Sequence, residues 1–198
     1  YNPLNINEII SLSKKYKKEK FFNKENSCLK IINIVRRTHQ KDQITFLKAL
    51  FLIKEKIKFK ALMVGSGAEK KNLNEYLAKK NMLDEVKIVN YKSNPFPLLK
   101  KADLFILTSL YEGLPNVLLE ALVLKKIVFS TNCQTGPREI LENGKNGTLF
   151  KVKDYKSLSR KILEFDMDKK KYRKKLQNFE SSLKRFDQKR NLNKYYSI

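Results

Sequence analysis

Short apolar runs alternate with helical patterns along most of this chain, and that alternation constrains its fold more than any other feature. The apolar runs lie at residues 30–35, 59–64, 86–89, 102–109, 126–131 and 149–150. Helical patterns cover residues 42–56, 69–80, 97–101, 115–124 and 137–141, and they resume at 154. Strands and helices that alternate over short connections predict an α/β fold with a Rossmann-like, doubly wound parallel sheet. In such a sheet, ligands bind outside the carboxyl ends of the strands.

The two ends of the chain differ from this alternating middle. Residues 1–26 predict a connector, in which an irregular stretch YNPLNINEII precedes a Lys-rich helix. Residues 27–165 predict the Rossmann-like domain itself. Residues 166–198 predict basic helices, because eleven basic and three acidic residues lie from Met167 onward. The chain starts at Tyr1 without a Met, which suggests a fragment of a longer protein.

The chain is strongly basic, with 43 Lys and Arg residues against 20 Asp and Glu residues and a net charge of +23. Such an excess raises the prospect of nucleic acid or anionic membrane as a partner. We find neither a basic sheet interleaved with aromatic residues nor a recognition helix, so we interpret most of the charge as solvated surface and expect no nucleic acid. A basic nucleic-acid-binding module remains an alternative function. The run KKKYRKK at residues 169–175 could contact anionic lipid.

The apolar runs are too short, or too often broken by Lys or Glu, for a membrane-spanning helix. The sequence also has no secretory signal. Its two cysteines, Cys28 and Cys133, are too few for a disulfide framework or a metal cluster. These observations predict a cytoplasmic protein.

Two glutamates in the segment EGLPNVLLE are candidates for binding or chemistry. Glu112 lies in the loop after the fourth apolar run, and Glu120 lies two turns into the next helix. Pro115 suits the first position of that helix, whose free N–H groups near Asn116 and Val117 would form an anion-binding site. The alternative is a narrow polar stripe of Asn116 and Glu120 that faces solvent.

Two basic residues, Arg36 and Lys41, flank the loop that follows the first apolar run. A guanidinium and an ammonium group at this edge of the sheet suit a diphosphate, and each charge-assisted hydrogen bond contributes about 1.5–3 kcal/mol. In a chain with 43 basic residues the pair alone is a weak indication. Its position at the strand ends gives it weight.

Other motifs give weaker signals. Gly65-Ser66-Gly67 imitates a dinucleotide fingerprint, but Lys70 stands where the third glycine belongs. Asp166-Met167-Asp168 imitates a metal-binding Asp-x-Asp motif, yet it lies in a Lys-rich surface segment, so we interpret it as a helix boundary. We predict that the single histidine, His39, faces solvent and that Cys133 is an inert packing residue. We therefore expect neither a metal nor a cofactor.

Taken together, these motifs resemble the C-terminal domain of retaining glycosyltransferases of the two-domain GT-B type, in the large family four. The resemblance covers about residues 30–165 and rests on the segments VGSG, ADLFILTS, EGLPNVLLEAL and STNCQTGPREILENGKNGTLF. The opening YNPLNI resembles the interdomain segment through which such enzymes pass from their first domain into their second. The resemblance therefore implies one domain of a GT-B enzyme, with the N-terminal acceptor domain missing from this chain.

The resemblance also implies roles for the matching residues. Arg36 and Lys41 would neutralise the donor diphosphate. Glu120 would accept hydrogen bonds from the ribose hydroxyls, and Glu112 would contact the transferred sugar. Further donor-binding positions are Gly65, Ser66 and Gly67 beneath the nucleotide, Asn90 and Tyr91 at the base, and Gly113, Leu114, Pro115, Asn116 and Val117 at the sugar and phosphate. Two positions depart from the family pattern, which often has Gly where this chain has Val35 and Asn90.

The implied function is transfer of a sugar, with retention of configuration, from a nucleotide diphosphate sugar to a glycan or lipid-linked acceptor. A UDP-sugar is the favoured donor, and bacterial surface polysaccharide or glycoconjugate synthesis is the favoured setting. The reaction would need no metal. It would take place in the cytoplasm, where the protein could contact the inner face of the bacterial inner membrane.

This chain alone would be inactive, because the acceptor domain is missing. A non-catalytic relative of the same fold is a second alternative. An interaction scaffold, however, has no reason to keep the four charged residues Arg36, Lys41, Glu112 and Glu120.

Overall fold

The computed structural model describes residues 4–15, 21–22 and 27–177, together with residues 179, 182, 185 and 186. Within these residues the strands are β1 (Leu29–Ile34), β2 (Phe59–Val64), β3 (Val86–Val89), β4 (Leu104–Leu107), β5 (Ile127–Thr131) and β6 (Thr148–Phe150). The helices are α1 (Ile6–Lys14), α2 (Gln43–Ile53), α3 (Lys70–Lys79), α4 (Phe96–Lys101), α5 (Asn116–Val123), α6 (Pro137–Ile140), α7 (Tyr155–Met167) and α8 (Lys169–Gln177). Short 3₁₀ turns cover His39–Lys41 and Glu142–Gly144.

The six strands form one parallel sheet in the order β3-β2-β1-β4-β5-β6. The chain winds outward from β1 to β3 and then returns to the other side of β1, where β4 begins the second half. The direction of winding therefore reverses between β1 and β4. The predicted α/β class, a Rossmann-like doubly wound sheet, is confirmed, and its reversal point is where ligands of such sheets bind.

The strands β1 and β4 separate towards their carboxyl ends. β1 pairs with β2 along its whole length, but with β4 only at Ile31 and Ile32. Beyond that point the Asn33 side chain spans the gap, and its Nδ2 donates a hydrogen bond of 2.8 Å to the Ile106 carbonyl. Gln43 at the start of α2 donates to the Asn33 Oδ1 at 2.8 Å. This buried chain of amides fixes the beginning of α2 relative to β4.

Helices cover both faces of the sheet, and β4 shows how one strand serves both. Its four residues are all buried. Leu104 and Ile106 pack in the core shared with α2, α3 and α7, whereas Phe105 and Leu107 pack in the core shared with α4 and α5. Because side chains alternate across a strand, a strand buried on both faces must be apolar throughout.

All six predicted strands are confirmed, with ends that differ from the sequence prediction by at most two residues. The helices are also present, although α2 ends at Ile53 rather than at residue 56, where the chain turns towards β2. In the described part of the chain, no helix combines the length and the apolar character needed to cross a bilayer.

The prediction for the first ten residues was wrong, because part of this stretch is helical. The helix α1 begins at Ile6, and the Asn5 side chain accepts a hydrogen bond of 3.1 Å from the Glu8 N–H. This N-cap satisfies one of the free donors of the first turn. The buried Ile9 then packs in the core beside α4 and α5. Most of the predicted Lys-rich helix after α1 lies outside the described residues.

The interpretation of Asp166-Met167-Asp168 as a helix boundary is confirmed. α7 ends at Met167, and the Asp168 carboxylate accepts a hydrogen bond of 3.0 Å from the Lys171 N–H in the first turn of α8. Much of the predicted basic segment beyond α8 lies outside the described residues. The divisions after residues 26 and 165 stay predictions.

A close approach between two loops requires glycine after β2. Gly65 has φ +150°, and a Cβ atom there would lie 1.9 Å from the Val35 carbonyl oxygen. The Gly65 N–H donates to the Val89 carbonyl at 3.1 Å, so its backbone is fixed on that side too. The loops after β1, β2 and β3 are therefore packed backbone to backbone.

We expect Gly65→Ala to lower the free energy of unfolding by roughly 2–4 kcal/mol, from backbone strain and the clash with Val35. Urea denaturation followed by circular dichroism measures the loss. Gly113→Ala is the control, because a Cβ atom at Gly113 meets no atom within 4 Å. An equal loss in both variants would contradict the close approach.

Candidate nucleotide-sugar site

A cleft of about 630 Å³ opens at the carboxyl edge of the sheet. The loops after β1, β2 and β3 and the helices α4 and α5 form its walls. The residues of the sequence prediction that line it are Arg36, Gly65, Ser66, Tyr91, Val117 and Glu120. Most of the remaining wall is apolar and includes Ile34, Val35, Val64 and Phe96. A largely apolar cleft with a few convergent polar groups is typical of a small-ligand site.

Arg36 and Glu120 bring opposite charges to this one cleft. Arg36 is exposed, whereas Glu120 in the second turn of α5 is largely buried. Burial raises the pKa of the Glu120 carboxyl above its ordinary value, because desolvation disfavours the charged form. Among the described residues, the structure gives the Glu120 carboxylate no hydrogen bond and no ion pair. A largely buried carboxylate without a partner destabilises the fold, and the hydroxyl of a ligand can donate the missing hydrogen bond to it.

Lys41 and Glu112 form the second pair of opposite charges. The Lys41 Nζ lies 2.6 Å from the Glu112 Oε1, and the two side chains are only 14% and 6% exposed. The Ser109 Oγ donates to the same carboxylate oxygen at 2.6 Å. The predicted cation and the predicted acid are therefore brought together, but here each contacts the other.

Three hydrogen bonds to backbone carbonyls hold together the loops that carry this pair. The Leu110 N–H donates to the Gln40 carbonyl at 2.8 Å, and the Gln40 side chain donates to the Tyr111 carbonyl at 2.9 Å. The Thr108 hydroxyl donates to the Lys41 carbonyl at 3.0 Å. These bonds cross the gap where β1 and β4 separate. The four charged residues of the prediction thus lie in two loops and one helix at the reversal point of the sheet.

The start of α5 differs from the prediction in one detail. Pro115 is the N-cap residue, with an extended backbone, and Asn116 is the first helical residue. Pro115 was therefore wrongly placed at the first helical position; its carbonyl instead accepts a hydrogen bond of 2.9 Å from the Leu118 N–H. The N–H groups of Asn116 and Val117 belong to the first turn, whose donors have no partner within the helix. They remain candidates for an anion.

The segment before α5 is packed against the loop after β5. The Thr135 hydroxyl donates to the Glu112 carbonyl at 2.6 Å. A Cβ atom at Gly136 would lie 1.7 Å from the Gly113 carbonyl oxygen, so the two backbones are in direct contact. Leu114 is half-buried and packs against the apolar core under α5. These contacts fix the backbone from Glu112 to Pro115 without involving a ligand.

The predicted base-binding residues stand beside the loop after β2. The Tyr91 N–H donates to the Ser66 Oγ at 3.2 Å, and the Tyr91 residue is 69% exposed at the cleft. Asn90 is exposed next to it and accepts hydrogen bonds from Lys70 and Arg37. Gly67 packs against the Arg37 carbonyl.

Arg37 is a residue that the sequence analysis missed. It is 1% exposed, its Nη1 donates to the Val89 carbonyl at 3.1 Å, and its Nε has no partner in the described structure. Burial lowers the pKa of its guanidinium. The doubled Arg in the sequence gave no indication which of the two side chains faces the ligand and which lies beneath the loop.

His39 and Cys133 are not among the residues that line the cleft. His39 is exposed in its 3₁₀ turn, as predicted. Cys133 is buried, burial raises the pKa of its thiol, and its Sγ lies 3.3 Å from the Ser109 carbonyl, in agreement with a packing role. Across the residues that the structure describes, His, Cys, Asp and Glu form no group of three or more that could hold a metal ion.

Comparison with known families decides the assignment. The sequence profile described as "Glycosyl transferases group 1" matches residues 14–181. The chain belongs to this glycosyltransferase family. The family and the GT-B type of fold that the sequence motifs implied are thereby confirmed.

This glycosyltransferase chain matches only part of the length of each relative. The chain is 37% identical over 141 residues to "Uncharacterized glycosyltransferase MJ1059" of Methanocaldococcus jannaschii, which covers 71% of this chain and 35% of that protein. It is 27% identical over 179 residues to the Campylobacter jejuni enzyme "GalNAc-alpha-(1->4)-GalNAc-alpha-(1->3)-diNAcBac-PP-undecaprenol alpha-1,4-N-acetyl-D-galactosaminyltransferase", covering 89% of this chain and 46% of that enzyme.

A solved structure has the same fold. The crystal structure of Anabaena Alr3699/HepE in complex with UDP matches with a TM-score of 0.83 and 22% sequence identity, over 100% of this chain and 57% of that chain. The glycosyltransferase chain thus spans between 35% and 57% of the length of these three proteins.

Burial of the Glu120 carboxylate predicts a pH-dependent stability. Because its pKa is raised in the folded state, the charged form costs the native state free energy at neutral pH, and this cost disappears as the pH falls below the ordinary value of 4.5. We expect Glu120→Gln to be more stable than the wild type at pH 7, with an advantage that falls as the pH is lowered and vanishes below pH 4.5. Urea denaturation across the pH range measures it, with Glu75→Gln, an exposed carboxylate on α3, as the control. A stability advantage of Glu120→Gln that does not change with pH would show that desolvation of the charged carboxylate is not its cause.

Proposed function

We propose that this chain is the donor-binding domain of a retaining glycosyltransferase that takes a UDP-sugar as donor. The observation that carries the proposal is the position of four charged residues at the reversal point of the sheet, where Arg36 and Glu120 line one cleft and Lys41 pairs with Glu112. Two cations there suit a diphosphate, and two acids suit sugar hydroxyls. The UDP in the HepE crystal structure belongs to a protein of the same fold and supports the choice of nucleotide.

Each group has a distinct task in this proposal. Arg36 and Lys41 bind the diphosphate, and the N–H groups at the start of α5 add partial positive charge. Glu120 accepts hydrogen bonds from the ribose hydroxyls, which supply the partner that its carboxylate lacks. Glu112 accepts hydrogen bonds from hydroxyls of the transferred sugar. The apolar wall of the cleft contacts the ribose and the base.

Stabilisation of the leaving group is the proposed source of catalysis. As the bond between the sugar carbon and the phosphate oxygen breaks, negative charge grows on the diphosphate. Cations and amides that are already in position stabilise that charge without reorganising, so no metal is needed. The acceptor hydroxyl oxygen bonds to the sugar carbon on the face that the diphosphate leaves, and its proton passes to the departing phosphate oxygen, so the configuration is retained.

The Lys41–Glu112 pair links the two halves of the proposed site. Each charge neutralises the other at a distance of 2.6 Å. A bound diphosphate competes with Glu112 for the Lys41 ammonium group. Once Lys41 turns to the phosphate, the Glu112 oxygen can accept from a sugar hydroxyl instead. Binding of the leaving group and recognition of the sugar are therefore coupled in our proposal.

Our inference about the acceptor is based on the relatives. The Campylobacter jejuni relative is named for a PP-undecaprenol-linked acceptor. We infer a glycan or lipid-linked acceptor, in bacterial surface polysaccharide or glycoconjugate synthesis, held by an N-terminal domain outside this chain. We place the reaction in the cytoplasm, with peripheral contact of the basic helix α8 to the inner membrane face.

A calorimetric titration with UDP tests the proposal. Arg36→Ala should weaken UDP binding by about ten- to a hundredfold, the contribution of one charge-assisted hydrogen bond. Arg160→Ala is a matched control, because Arg160 is exposed on α7, which covers the opposite face of the sheet. Loss of UDP binding in both variants would show that the net charge of the chain, and not a site at Arg36, determines binding.

The same titration separates the proposal from its alternatives. We expect the isolated chain to bind UDP weakly and to transfer almost no sugar. Tight, strongly salt-dependent binding of an oligonucleotide with no binding of UDP would favour the nucleic-acid module. Robust sugar transfer by this chain alone would show that the acceptor domain is not needed.

A further inference from the structure

The Glu112 carboxylate has two donors, and both contact the same oxygen. The Glu112 Oε1 accepts a hydrogen bond of 2.6 Å from the Ser109 Oγ and lies 2.6 Å from the Lys41 Nζ. Among the described residues, the structure gives the other oxygen, Oε2, no hydrogen bond and no ion pair. Since the side chain is only 6% exposed, water can replace these donors only in part. The state of this carboxylate therefore depends on Ser109 and Lys41.

Ser109 is held in place by the end of β5 and the loop that follows it. The residue is fully buried, with 0% exposure. Its carbonyl accepts a hydrogen bond of 2.7 Å from the Thr131 Oγ1 and one of 3.3 Å from the Cys133 Sγ. These contacts come from a neighbouring strand and do not involve Lys41. The Ser109 hydroxyl is therefore a fixed donor beneath Glu112.

The two donors differ in how a diphosphate affects them. The Lys41 ammonium group ends a flexible four-carbon stem and is attracted to phosphate oxygens, so a diphosphate can draw it away from Glu112. The Ser109 hydroxyl is neutral and buried, so it stays where it is. Once Lys41 has turned, Ser109 is the one donor among the described residues that remains on the carboxylate. A nearly buried carboxylate that loses every donor is strongly destabilising.

We propose that Ser109 is a positioning residue, whose hydroxyl holds the Glu112 carboxylate in place while Lys41 moves to the diphosphate. Ser109 contacts neither the sugar nor the diphosphate and acts through Glu112. Its hydrogen bond lowers the free-energy cost of releasing Lys41, and it keeps Glu112 oriented for the sugar that follows. This inference rests on the proposed function, because it concerns the exchange of Lys41 between Glu112 and the same diphosphate.

The test is a double-mutant cycle of Ser109→Ala and Glu112→Gln, measured as UDP affinity in the full 198-residue chain. UDP is the probe because it carries the diphosphate but no sugar that could give Glu112 another donor. We expect Ser109→Ala to weaken UDP binding by about three- to tenfold, the effect of one hydrogen bond. In the Glu112→Gln background no carboxylate has to release Lys41. There we expect Ser109→Ala to change UDP affinity by less than about twofold.

Two further variants serve as controls for the fold. Ser159→Ala on α7 is the matched control, because Ser159 is 6% exposed and its hydroxyl donates only to the Lys156 carbonyl at 2.8 Å. We expect it to leave UDP affinity unchanged. Ser109→Cys, measured in reducing buffer, keeps a side chain of similar shape with a weaker donor, and it should reproduce the loss of Ser109→Ala. It replaces Ser109→Ala in the cycle if circular dichroism shows that the alanine variant does not fold.

The outcomes separate this inference from the proposed function. An equal loss of UDP affinity in both backgrounds would show that Ser109 acts through the fold and not through the Glu112 carboxylate, which overturns the inference. UDP affinity that does not fall in the Ser109 variants also overturns it, while the proposed function stands. If the wild-type chain binds no UDP, the proposed function fails, and this inference fails with it.

Discussion

The separation of β1 from β4 is the constraint on which the rest of the site depends. Parallel strands that wind in opposite directions from a common centre leave a gap between their following loops. In this chain Asn33 and Gln43 span the buried part of that gap, and Lys41 and Glu112 meet across its outer part at 2.6 Å. The fold thereby creates the crevice, and polar side chains define its width.

The site contains groups that reduce stability rather than increase it. Glu120 is a largely buried carboxylate without a partner among the described residues, and Arg37 is a buried guanidinium with an unsatisfied Nε. Desolvation of such groups opposes folding unless they are fully hydrogen-bonded. Both lie where the proposed ligand binds or next to it. The chain accepts this cost close to the proposed ligand site, while its two apolar cores supply the stability.

The sequence predicted the strands well, because they depend on short-range patterns, and it placed the candidate site at the carboxyl ends of those strands, where the structure has a cleft. The burial of β4 on both faces follows from its residue types alone, and the common edge of the strand ends follows from their parallel arrangement. The pairing of Lys41 with Glu112 could not be predicted from residue types, because it depends on how two distant loops dock. The burial of Arg37 beside the exposed Arg36 was equally inaccessible, because either could have turned inward. The helix predicted after residue 10 begins earlier, at Ile6, although Asn5 and Glu8 gave a capping signal for that start.

The central claim is that one nucleotide diphosphate sugar engages all four charged side chains, and that its nucleotide diphosphate part engages Arg36, Lys41 and Glu120. A crystal structure of this chain with UDP tests it most directly. We expect the diphosphate within hydrogen-bond distance of Arg36 and of Lys41, the ribose hydroxyls on Glu120, and the Lys41 ammonium group withdrawn from Glu112. UDP bound elsewhere on the sheet, or bound in the cleft with the Lys41–Glu112 contact intact and Glu120 still unpartnered, would contradict the account.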